Sequence, residues 1–182
     1  MLNNGFQNVI MIKEILQIGE PVLREIAQEV EDIHCQETQN LIDELLDLTL
    51  KSHGVGIAAP QVGISKRIIV VASHPNIRYP DAPYMSPFAM INPLIVSHSQ
   101  EIVIKEEGCL SVRQKRGMVA RYRDIEVEYF TRDGQWHRKQ YNNFIARIIQ
   151  HELDHLNGIL FVDHLQEDLM SEAQLKLDKS LI

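Results

Sequence analysis

The segment FIARIIQHELDHL (residues 144–156) limits the folds open to this chain more than any other. Its apolar residues Phe144, Ile145, Ile148 and Ile149 recur at helical spacing, so the helix must lie against a core. Directly after that apolar stretch the same helix carries His151, Glu152 and His155. Residues i and i+4 share a helix face, so the two imidazoles point the same way. Glu152 lies about 100° around the helix from His151, close enough to serve a group held there. Burying two histidines and a glutamate costs free energy unless a partner offsets it. A metal ion is such a partner, and H-E-x-x-H binds a divalent metal through its histidines and uses the glutamate as base. A pair of solvated surface histidines is the plain alternative, and the apolar run ahead of His151 weighs against it.

The rest of the chain predicts what surrounds this helix. Glu20-Pro21 followed by VLREIAQEV reads as a short helix with proline in its first turn. A longer helix is expected from about Glu37 to Ser52, with Leu41, Ile42, Leu45, Leu46 and Leu48 at helical spacing and Gly54 just past its end. GVGIAAPQVGI reads as a loop or irregular strand, and RIIVVA (67–72) as a strand buried on both faces. Four prolines make 73–87 an irregular excursion. AMINPLIVSHSQEIVIKEE supplies one or two strands, and DIEVEYFTRDGQWHRKQY a hairpin turning at Asp133-Gly134. Asn142 or Asn143 is the candidate cap of the histidine helix, which stops near Gly158. A short amphipathic helix is expected at about 167–179. Strands come first and the long helix follows, without regular strand–helix alternation. The expected class is therefore α+β, with mostly antiparallel sheets packed around a central helix that carries H-E-x-x-H.

Length and composition agree with one domain, expected to span 1–182. The formal net charge is −7, which argues against a nucleic-acid site, since phosphate binding needs a basic excess. No apolar run approaches the ~20 residues that span a bilayer. The N-terminal stretch has neither a basic region nor a long apolar run and does not read as a signal peptide. Two cysteines, Cys35 and Cys109, make no disulfide framework, so a reducing, cytoplasmic setting is expected.

A catalytic metal site usually takes three protein ligands and leaves one position open. Asp163, His164 and Glu167 follow the motif and are candidates for the third. Cys109, after a glycine in Glu107-Gly108-Cys109-Leu110-Ser111, is another, although most free cysteines are simply small buried hydrophobes.

Three segments together resemble the sequence motifs of the peptide deformylases. Gly54-Val55-Gly56-Ile57-Ala58-Ala59-Pro60-Gln61 is similar to G-x-G-(I/L)-A-A-x-Q, Glu107–Ser111 to E-G-C-L-S, and Gln150–His155 to Q-H-E-x-D-H. They stand in the family's order and spacing, and the likeness runs from about Ile12 to His164. The resemblance implies a metal held by Cys109, His151 and His155. It implies that metal-bound water attacks the formyl carbon of N-terminal formyl-methionine on newly made polypeptides. Glu152 is then the general acid/base, and Gln61 with the backbone N–H of Leu110 holds the oxyanion. Fe2+ is the metal implied in the cell, with Zn2+, Ni2+ or Co2+ suited to the same ligands. Val55, Gly56, Ile57, Leu110 and Ile148 are candidates to line the substrate site. Glu107 and Arg116 are expected to pair near its entrance, and Asp154 to orient a ligand histidine. Formylmethionyl peptides or nascent chains are the implied partners.

The chain departs from the pattern in places. Arg113 stands where many members have proline, and Arg113-Gln114-Lys115-Arg116 reads as a solvated basic loop or as an influence on substrate choice beyond methionine. Residues 1–10 read as an extension, with Met11 as an alternative start. In some members a basic C-terminal helix docks on the ribosome, and the mixed charge of 167–179 argues against that here. A zinc endopeptidase is the rival reading, and it leaves Glu107–Ser111 unexplained.

Overall fold

The computed structural model describes residues 14–165. The extension at 1–10 and the helix expected at 167–179 lie outside them. The elements run α1 (Gln36–Lys51), β1 (Gly56–Ala58), β2 (Ile68–Val71), β3 (Phe88–His98), β4 (Ile102–Cys109), β5 (Val112–Tyr122), β6 (Asp124–Phe130), β7 (Trp136–Asn142) and α2 (Asn143–Leu156). The larger sheet has the order β1-β2-β3-β6-β7, and β4 pairs with β5 in a separate two-stranded sheet. Every strand pairing is antiparallel. This is the α+β class expected.

The larger sheet is covered on both faces. Ile69, Val71, Met90, Val127 and Tyr129 pack against Ala146, Ile149, Leu153 and Leu156 of α2. Ile68, Val70 and Ile91 pack on the other side against Leu41, Ile42 and Leu45 of α1. Alternate side chains of a strand face opposite ways, so β2 must be apolar throughout. Each such side chain removed from water contributes roughly 1.5–3 kcal/mol. A third cluster, Cys109, Val112, Val119, Leu160 and Phe161, ties the β4–β5 sheet to the chain after α2.

Three expectations change. The helix after Glu20 is only a 3-10 turn, Pro21–Arg24, and the chain then extends until Gln28 bridges Lys66. Leu23, Ala27 and Val30 are buried while Ile26 is 75% exposed. At the end of α1 the left-handed residue is His53, with φ of 51°, and not Gly54. Gly54 instead donates its N–H to the Thr49 carbonyl at 2.9 Å. Last, Val112–Tyr122 is a strand that the sequence did not announce, because its inward residues are few and include Arg121.

Asn142 takes the N-cap position of α2 but makes no side-chain capping bond. Gly158 stops that helix with φ of 72°, and a Cβ there would lie 2.6 Å from the Arg24 carbonyl oxygen. Pro93 is accommodated within β3 by a register shift, where Asn92 turns to φ of 51°. The Asn92 amide replaces strand pairing by accepting from the Val30 N–H at 2.9 Å and donating to its carbonyl at 3.0 Å.

Candidate active site

The end of β4 meets the last turns of α2. There the ligand atoms of Cys109, His151 and His155 lie within 4.8 Å of one another. Cys109 Sγ is 3.1 Å from His155 Nε2. Cys109 and His155 are buried, and His151 is half-buried. Burial by itself raises the Cys109 thiol, but the imidazoles of His155 and His151 draw it well below its usual value, towards the thiolate that binds metals. The Ser111 backbone N–H donates to the same sulfur at 3.3 Å.

His151 is oriented by Glu107, whose Oε2 lies 2.9 Å from Nδ1 and so leaves Nε2 for the centre. Glu107 is buried at 4% exposure. Arg121 grips both its oxygens at 3.0 Å, and Arg147 Nη1 donates to Oε1 at 2.6 Å. Burial pushes the Glu107 carboxyl up, but the hydrogen bonds from His151 and Arg121 overcome this and hold it well below the usual carboxylate range.

The donor set fits a divalent metal. One thiolate and two imidazoles converge, and Glu152 Oε2, buried beside them, has no hydrogen-bond partner among the described residues. A cation beside them would offset that desolvation.

Glu152 lines a narrow cavity of about 40 Å³, room for water or a small group, together with Val55, Gly56, Gln61, Leu110 and Ile148. Burial pushes its carboxyl up to about 7, against the pull of His151 and His155. Gly56 is required here: a Cβ would meet Glu152 Oε1 at 2.6 Å and Ile148 Cγ2 at 2.8 Å. Gln61 is locked in place, because Oε1 accepts from the Ala58 N–H at 2.8 Å and Nε2 donates to Ser111 Oγ at 3.0 Å. Its Nε2 also lies 3.6 Å from Cys109 Sγ.

Several sequence candidates stand elsewhere. Ile57 is wholly buried in the α1-side core and does not border the cavity, because period-two alternation turns it away from Gly56 and Ala58. Arg116 pairs with Glu106 at 2.7 Å, not with Glu107, and lies over the Tyr79 ring at the cavity mouth. Asp154 accepts from Arg121 and holds His164 at 2.7 Å, not a ligand histidine. Asp163 is engaged by Arg24, so neither it nor His164 is the third ligand, and Glu167 lies outside the described residues.

Glu107 as the group that orients His151, Arg121 and Arg147 as its supports, and Ser111 as the partner of Gln61 and Cys109, were missed. The spacing of Arg147 and His151, four apart on α2, carried a signal for one of them.

A family model described as "Polypeptide deformylase" matches residues 12–170. Peptide deformylase 2 of Nostoc sp. is 54% identical over 155 residues, covering 85% of this chain and 87% of that protein. A Met-Ala-Ser-bound class I type b peptide deformylase from Acinetobacter baumannii superposes with a TM-score of 0.81 at 46% identity, covering 85% of this chain and 98% of that one. The peptide deformylase of Thermotoga maritima gives 0.76 at 34% identity, covering 85% and 97%. With the cysteine and the two histidines gathered beside the glutamate, these matches show that the chain belongs to the polypeptide deformylase family.

Proposed function

We propose that this chain hydrolyses the formyl group from the N-terminal formyl-methionine of newly made polypeptides, with Cys109, His151 and His155 holding one divalent metal ion. The observation that carries the reading is the convergence of these three side chains on one another, with Cys109 and His151 lining the cavity that Glu152 and Gln61 also reach. When bound, the metal supplies Lewis acidity, which lowers the pKa of water from about 15.7 towards ~7.

Glu152 takes the proton of the attacking water. Its carboxyl, at the cavity beside the metal ligands, accepts that proton and returns it to the departing amine. Water oxygen adds to the formyl carbon, the C–N bond breaks, and formate and a free amine leave. Gln61 Nε2, fixed by Ala58 and Ser111, and the Leu110 backbone N–H donate to the oxygen that gains charge in the transition state. Val55, Gly56 and Ile148 border the space for the methionine side, and the narrowness of the cavity favours the smallest acyl group. Because ligands come from both the β4–β5 sheet and α2, the described residues act as one catalytic unit.

Fe2+ is the metal proposed in the cell, and the cytoplasm, where chains are made, the place of action. Zn2+, Ni2+ and Co2+ suit the same donor set. The test is formate release from formyl-Met-Ala-Ser, run anaerobically with added Fe2+, Ni2+ or Zn2+ and with the unformylated peptide as control. Release that needs both metal and the formyl group is expected. Its absence from folded, metal-loaded protein would overturn the reading.

A further inference from the structure

Past Cys109 and Leu110 the site opens into a wider cleft of about 640 Å³. Arg78 borders both this cleft and the narrow cavity, and Arg113, Lys115 and Arg116 form the outer wall. The register of β4 and β5 explains why basic residues stand there. Cys109 pairs with Val112 and Gly108 with Arg116, so Arg113, Gln114 and Lys115 have no residue opposite. Gln114 turns through φ of 62° to allow the bulge, a device that re-aims side chains beside a site. The segment expected to be a solvated basic loop is thus an exposed bulge at the edge of the substrate cavity.

The charges are unequal in their partners. Arg116 is taken by Glu106, whereas Arg78, Arg113 and Lys115 pair with no carboxylate among the described residues. Among the described residues, no acidic one lines the cleft. In a chain of net charge −7 this is a local reversal of sign.

We propose that this rim is a subsite for acidic side chains in the peptide just after its formyl-methionine, read by Arg78, Arg113 and Lys115. The inference rests on the deformylase reading. A peptide held at its formyl end advances ~3.3 Å per residue, so its next few residues pass the rim. A nucleic acid is disfavoured, because the net negative charge of the chain repels a polyanion at long range.

The test compares kcat/KM of the metal-loaded enzyme for formyl-Met-Ala-Ser, formyl-Met-Asp-Glu and formyl-Met-Lys-Lys. Exposed ion pairs are individually weak, so the acidic peptide should lead the neutral one by roughly three- to tenfold at low salt. The lysine peptide should trail it. The lead should shrink towards one in ~0.5 M salt, and also in the double variant Arg113→Gln/Lys115→Gln. Equal rates on all three peptides, unmoved by salt or the variant, would overturn the subsite and leave the deformylase reading intact. Failure on every formyl peptide would instead sink that reading. Inhibition by polyuridylate that the double variant relieves, with equal peptide rates, would assign the rim to nucleic acid and overturn the proposal.

Discussion

Glu107 links the charge chemistry of the site to its geometry. It fixes the His151 ring through Nδ1 while two arginines hold its own carboxylate. Groups that orient a metal ligand typically contribute 10–100-fold in metal affinity. Glu107→Gln should therefore weaken metal binding by roughly that factor, read by titration against a competing chelator. An unchanged affinity would mean that the His151 ring needs no such partner. Glu152→Ala should lower turnover by at least ~10²-fold with metal content unchanged, and activity within a few-fold of the parent would remove Glu152 from the base role. Cys109→Ser should weaken or alter metal binding, since sulfur is the softest donor of the set. Gly56→Ala places a methyl on Glu152 and Ile148, and displacing a base by ~1 Å can cost ~10² in rate. Near-parent activity in that variant would show that α2 yields without harm.

Among the elements, β2 and α2 were legible because each repeats one physical demand along its length. Ile68–Val71 is buried on both faces, and α2 alternates a core face with a site face. β5 was not legible, because its inward positions include Arg121, buried only by virtue of Glu107 and Asp154 on other elements. The turn after Leu160 adds a pH-dependent lock on α2. Its His164 is raised chiefly by the hydrogen bond with Asp154, with burial opposing. A raised folded pKa gives stability that is present below the unfolded value of ~6.5 and is lost as pH rises through the folded one. Destabilisation by His164→Gln should thus be greater at about pH 5.5 than at about pH 9, by about 1 kcal/mol, as measured by urea unfolding. Equal losses at both values would show that the imidazolium adds nothing.

At the scale of the molecule, the proposed metal ligands join two sheets that no strand pairing connects among the described residues: Cys109 ends the two-stranded sheet, and His151 and His155 belong to the helix on the five-stranded one. A ligand that binds only the folded chain stabilises it, by about 2.7 kcal/mol at a hundredfold excess over Kd. Removing metal by chelation should lower Tm by several degrees, and a chelator should leave the Tm of Cys109→Ala unmoved. An equal chelator-induced drop in parent and variant would separate the bridge from Cys109. The amino-acid sequence by itself determined the α+β class, the histidine helix and the family motifs, because each is written in local periodicity or in residues adjacent along the chain. Only the tertiary structure decided that Ile57 faces away from the site, that Arg116 takes Glu106, and that Glu107 holds His151. Those assignments depend on strand register and on how two sheets and a helix meet, and neither is encoded in the spacing of any one segment.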